Sequence, residues 1–186
     1  MSSYREKLLK AVIEKSESKK WEIAVLEWII ADVEEDENLE SSCVCGKEHL
    51  RYLYTIQNDK TGEYLFPIGS QCIKKFGRSD LDEYTTITES MFKLLHAIRN
   101  NEFIELTADY FSRKLLLDLH NKDVFTPNRY NNYNGYNDYQ FMLKMFNKRD
   151  KTLISNNQKR KIRGIIAYTI RPWLEDKLSN KIRKKV

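Results

Sequence analysis

The segment SSCVCGKEHL, residues 41–50, concentrates most of the reactive side chains of this chain. Cys43 and Cys45 flank one valine, Gly46 follows, and His49 comes three residues later. Cys72 is the third and last cysteine. Three thiolates and one imidazole are a ligand set that suits tetrahedral zinc. Gly46 lets the backbone fold back so that both thiols of the Cys-x-Cys pair face one point. A fourth protein ligand would close the coordination sphere, so the expected ion is a single structural Zn2+ held by Cys43, Cys45, His49 and Cys72. Glu48 or a second histidine could stand in for His49, whereas His96 and His120 read as ordinary helix residues. The plainer alternative is three buried free thiols beside a surface histidine.

The elements around these residues must bring Cys72 back to the Cys-x-Cys turn. Tyr52–Ile56 alternates and is rich in aromatic and β-branched residues, Asn58–Gly62 is a turn cluster, and Glu63–Ile68 reads as a second strand. This is a β-hairpin signal. Ser70 is a natural N-cap, which predicts Cys72 in the first turn of a short helix, where the helix N-terminus favours the thiolate. A hairpin and one short helix bury too little surface to fold alone, and a bound metal supplies the missing energy.

Upstream, residues 4–15 carry a helical apolar face, and Trp21, Val25, Trp28, Ile29 and Val33 predict a second helix over residues 20–34. The acidic run Glu34–Glu40 then reads as a solvated connector. Downstream, residues 88–100, 108–119, 139–148 and 156–171 predict helices, with Ser155 as a cap and Pro172 bending or restarting the last one. Asp80 and Asp82 read as a turn in a linker, and residues 121–138 as a polar loop. The expected fold is α+β and mostly helical. N-terminal helices span residues 1–40, a treble-clef-like zinc hairpin and helix spans 41–80, and a helical region with a basic end spans 81–186.

Apolar residues make up 41% of the 186-residue chain, enough to bury a core. No stretch approaches the roughly 20 apolar residues of a membrane-spanning helix, and the N-terminus lacks the apolar core of a signal peptide. The expected location is the cytoplasm, where thiols stay reduced. Charge is uneven. Residues 144–186 hold 14 lysines and arginines against three acids, a net of +11, and residues 1–143 hold 18 against 24, a net of −6. Such asymmetry points to nucleic acid or another acidic partner.

Lys159, Arg160 and Arg163 fall near one side of a helix whose other side carries Ile162, Ile165, Ile166 and Ile170. Lys181, Arg183, Lys184 and Lys185 extend the charge at the terminus. A phosphate backbone is the simplest partner for this surface. Tyr130, Tyr133, Tyr136 and Tyr139 recur every three residues among asparagines. Such tyrosines pack the loop on its own domain, and Tyr133 and Tyr136 are also candidates to stack on unpaired bases. No phosphate-binding glycine loop, dinucleotide fingerprint or nucleophile elbow is present, so catalysis is not expected.

The string CVCGKEHLRYLYTIQNDKTGEYLFPIGSQCIKKFG resembles a small zinc-binding segment of uncharacterised proteins from phages and mobile elements of Gram-positive bacteria. AVLEW upstream and YNNYNGYNDYQFMLKMFNKRDKT downstream are similar to the same group. The resemblance implies a zinc-bearing accessory protein with Cys43, Cys45, His49 and Cys72 as ligands, and no assigned activity. Two functions are therefore expected in competition. One is a non-enzymatic nucleic-acid-binding factor acting through the basic end. The other is a phage-encoded inhibitor of a host defence or replication enzyme, acting through the acidic body.

Overall fold

The computed structural model describes residues 3–183. The chain is α+β and divides into two compact units, one gathering Met1–Thr86 with Asn180–Val186 and the other Ile87–Ser179.

In the first unit, helix α1 (Tyr4–Lys15) starts at Ser3, whose hydroxyl accepts the Glu6 amide while the Glu6 carboxylate accepts the Ser3 amide. This reciprocal cap satisfies two amides that the first turn leaves without partners. A short helix α2 (Trp21–Ala24) follows. The chain then extends into strand β1 (Trp28–Asp36), so the helix expected over 20–34 is corrected to one helical turn and a strand. The cause of the misreading is visible in the ladder. β1 pairs antiparallel with β2 (Tyr52–Asn58), and its register slips between Ile30 and Asp32. A bulge inserts one residue and shifts the side-chain alternation. Trp28 and Val33, both buried, are thereby five residues apart. The helical pattern comes instead from Val25, Ile29 and Val33, four residues apart, of which the exposed Ile29 does not share the buried face.

Strand β3 (Tyr64–Ile68) pairs antiparallel with β2 as the hairpin signal predicts. The strand β4 (Ile182–Arg183) lies parallel to β1, giving the sheet order β3-β2-β1-β4. Trp28, Leu53, Ile56 and Ile68 are fully buried with Leu8 and Val12 of α1. Burial of each such side chain contributes about 1.5–3 kcal/mol. The polar groups buried around Trp28 are paired. Trp28 Nε1 donates to Ser16 Oγ at 2.8 Å, and the Glu27 carboxylate accepts the amides of Glu17 and Ser18 and the side chain of Asn58.

The acidic run is not a solvated connector along its length. Glu34, Glu35 and Asp36 belong to β1, and Glu35 and Asp36 are buried. Helix α3 (Ser70–Ile73) contains Cys72 as expected, but its N-cap is Gly69 rather than Ser70, and no side chain caps it. Asp80 and Asp82 also leave the expected turn. They sit in the first turn of α4 (Ser79–Arg99), where acids complement the helix dipole.

The second unit is helical. It holds the later part of α4, then α5 (Arg113–Asn121), α6 (Gly135–Asn147), α7 (Asn156–Ile165) and α8 (Arg171–Leu178). Phe92, Leu94, Leu95, Leu115, Leu116, Leu119 and Met142 are fully buried. Ser155 caps α7 with a reciprocal Gln158 contact, as its position predicts. A five-residue π-helical turn, Ile166–Ile170, joins α7 to α8 ahead of Pro172. The asparagine-rich stretch is more ordered than a polar loop. Buried Asn131 donates to Thr126 O and to the Asp138 carboxylate, and its side-chain Oδ1 accepts the amides of Asn128 and Asn134.

Candidate metal centre

The site is built from the end of β1 onward. Asp36 turns its carboxylate back on the following residues and accepts the amides of Asn38, Glu40 and Ser41 and the Ser41 hydroxyl. These bonds fix residues 38–41. Burial alone would raise the Asp36 pKa, but the Ser41 hydroxyl and the three amides outweigh it and hold the carboxyl below its ordinary value. Ser41 then pairs with Leu50 across an isolated bridge, which closes the neck of the cysteine loop.

Inside the neck, the Gly46 amide donates to Cys43 O at 2.7 Å and the Cys43 amide to Lys47 O at 2.8 Å. Gly46 takes φ +89°, a region that disfavours any side chain, and a Cβ there would lie 3.2 Å from Lys7 Nζ. The Val44 amide reaches Pro67 O at 2.9 Å and so fastens the turn to β3. From β3 the chain passes through Gly69 into α3, which delivers Cys72.

The three sulfurs converge and are buried. Cys43 Sγ lies 3.6 Å from Cys72 Sγ, and Cys72 Sγ lies 3.3 Å from Cys45 Sγ. A disulfide requires about 2.05 Å. Zinc–sulfur bonds of about 2.3 Å at tetrahedral angles put ligand sulfurs about 3.8 Å apart. The three cysteines are free thiols at spacings that a small metal-driven adjustment would satisfy. The Gly69 amide also points at Cys43 Sγ, 3.4 Å away, the kind of contact that steadies a thiolate.

The sulfurs share their protons unequally. The hydrogen bond with Cys72 holds the Cys43 thiol down to about 5, while the same bond, burial and the charge on Cys43 push Cys72 far above the ordinary thiol range. A divalent cation at their centre would favour all three thiolates.

His49 stands outside this group. Among the described residues, the side chains whose ligand atoms lie within 4.8 Å of one another are Cys43, Cys45 and Cys72. The chain pairs Leu50 inward against Ser41, which turns its neighbour outward. His49 is exposed at φ +60° with Nδ1 3.0 Å from Leu39 O. Glu48 is exposed as well, and neither His96 nor His120 joins the cluster.

The other expected site residues divide into distinct groups. Lys159, Arg160 and Arg163 are exposed on α7 while Ile162 and Ile165 are buried beneath them. No carboxylate lies within ion-pair distance of these three cations among the described residues. Lys181 instead pairs with Asp32 at 2.7 Å, and Arg183 pairs with Glu34, so both serve the β1–β4 edge. Lys184 and Lys185 lie outside the described residues. Tyr133 is 75% and Tyr136 50% exposed, whereas Tyr139 is buried and stacks on His120 with ring centres 4.5 Å apart.

Sequence reasoning missed Asp36 and Phe103. Asp36 was hidden in an acidic run, although its position ahead of Asn38 and Ser41 fits a carboxylate that bonds its own following backbone. Phe103 is 68% exposed beneath Arg163, and only contact across the fold distinguishes it. No helix among the described residues is long and apolar enough to cross a membrane. No family model, no curated protein and no solved structure matches this chain.

Proposed function

We propose that this protein is a non-enzymatic nucleic-acid-binding factor whose N-terminal unit is held by a structural zinc ion in a treble-clef-like knuckle. The observation that carries the nucleic-acid reading is the cationic face of α7. Lys159, Arg160 and Arg163 are exposed and lack carboxylate partners among the described residues, on a helix anchored by Ile162 and Ile165. Lys161 on the same helix is spent differently, pairing with Asp138 at 3.0 Å. Unpaired cations on a rigid helix suit phosphates, whose contacts release counterions and bind more weakly as salt rises. The inhibitor reading has less support, since Glu34, Glu35 and Asp36 already have partners within their own unit.

Zinc is the metal that best fits three buried thiolates on a hairpin and a short helix. The resemblance of residues 43–77 to proteins of phages and mobile elements is consistent with an accessory role in a phage or mobile element.

The test is anisotropy of fluorescent DNA and RNA probes at two salt concentrations, with wild type and the K159E/R160E/R163E variant. Micromolar binding that falls with salt and is lost in the variant supports the reading. Equal binding by the variant, or none by wild type at low salt, overturns it.

A further inference from the structure

The α7 face contains more than charge. Phe103 is among the most exposed large apolar side chains of the chain, and the Arg163 guanidinium lies 5.4 Å from its ring centre. That distance is within cation–π range. Two adjacent cavities share Phe103, Ile104 and Arg163 in their walls, one of about 260 Å³ and the other of about 280 Å³. The first adds Ile154, Ile162 and Lys159. Apolar walls with cations at the rim therefore flank one exposed aromatic ring.

We infer that this groove takes an unpaired nucleobase, stacked at Phe103, with the adjoining phosphates held by Lys159 and Arg163, so that the ligand is single-stranded nucleic acid. The inference rests on the nucleic-acid reading of α7 and narrows it. A duplex keeps its bases stacked on one another and offers phosphates to a cationic helix, which needs neither a cavity nor an exposed ring. A single strand offers both a π-face and phosphates, and aromatic rings beside cations are what such strands use. The charge of the first cavity is mixed but net cationic, with Lys151, Lys159 and Arg163 against Glu105. Glu105 also lines the first cavity and Glu102 the second, but the Glu102 carboxylate accepts the Tyr110 hydroxyl at 2.9 Å. Lys151 turns its ammonium inward onto Met145 O and Phe146 O, and Arg171 pairs with Glu175. Among the described residues, Lys159 and Arg163 are the cations of these linings with no carboxylate or carbonyl partner.

The experiment uses the full chain with equal-length fluorescent probes of single-stranded DNA, single-stranded RNA and their duplexes. Wild type is compared with F103A, F103W and K159E/R163E. Phe103 is mostly exposed, so F103A should keep the wild-type melting curve, which is measured alongside. Single strands are expected to bind at least about tenfold tighter than duplexes. F103A should weaken single-strand binding by about five- to 150-fold, the range for loss of one stacked base, with the salt dependence unchanged. F103W should restore binding, and K159E/R163E should lower the salt dependence. The stronger of the two single-strand arms names the sugar. Duplex binding equal to or tighter than single-strand binding, or F103A binding like wild type, overturns the stacking inference and leaves the phosphate reading standing. No binding by any probe overturns both.

Discussion

The Asp36 carboxylate accepts the Ser41 hydroxyl at 2.6 Å, and this bond sets where the cysteine knuckle begins. Three backbone amides share the same carboxylate, so the last residue of β1 acts as the template for the loop that presents Cys43 and Cys45. D36N keeps the shape but replaces one acceptor with a donor that faces other donors. It should cost about 1–3 kcal/mol, the range for leaving buried polar groups unmatched. Urea unfolding measures this directly. An unchanged midpoint would show that the loop holds its shape without the carboxylate.

The metal prediction separates the cysteines from His49. C43S, C45S and C72S should each lose bound zinc and melt at lower temperature, as wild type should when treated with chelator. H49A should keep wild-type metal content, because its ring bonds Leu39 O rather than joining the sulfurs. Metal content by mass spectrometry, together with melting curves, reads both. Loss of zinc in H49A would show that the ring swings inward to complete the site.

Acid should destabilise the first unit in a defined window. Burial would raise the Glu27 carboxyl, but the Asn58 side chain and the amides of Ser18 and Glu17 hold it below its ordinary value of 4.5. Asp36 is likewise held below 3.8. A carboxyl with a depressed folded-state pKa contributes stability above its unfolded value, and that stability is lost as pH falls through the folded value. Wild type should therefore lose stability below about pH 4.5. E27Q should be weaker at neutral pH and flatter through that window. Unfolding curves at a series of pH values test this, and parallel wild-type and E27Q profiles would count against it.

Gly135 offers a test confined to the second unit. A Cβ built there would lie 1.7 Å from Phe125 O, a backbone atom that cannot step aside alone. G135A should cost at least the 1–3 kcal/mol typical of overpacking, since the turn before α6 must move. Metal content should remain unchanged, because all three cysteines belong to the other unit. Wild-type stability in G135A would mean that the turn relaxes freely.

Much of this molecule was legible in its residues. The hairpin strands, the turn at Asn58–Gly62, the helix that carries Cys72 and the Ser155 cap all follow from local pattern. Local chemistry governs each of them, through alternation, turn residues and capping, and neighbours in sequence are neighbours in space. The convergence of Cys43, Cys45 and Cys72 was also legible, because the hairpin between them returns the chain to its start.

Other features depended on contacts between distant parts of the chain. β1 is a strand because β2 supplies its ladder and a bulge absorbs one residue, and neither is written in residues 28–36 themselves. Lys181 and Arg183 looked like free charge until β4 placed them beside Asp32 and Glu34. His49 had the right identity and spacing for a ligand, but the Ser41–Leu50 bridge turned it outward. Phe103 gained meaning only when Arg163, sixty residues later in sequence, came to lie over its ring. Residue types and local periodicity decided which groups this protein has and which short elements carry them. Tertiary structure decided which of those groups are already partnered, because partnership between charges, rings and backbone edges is a property of distance in space.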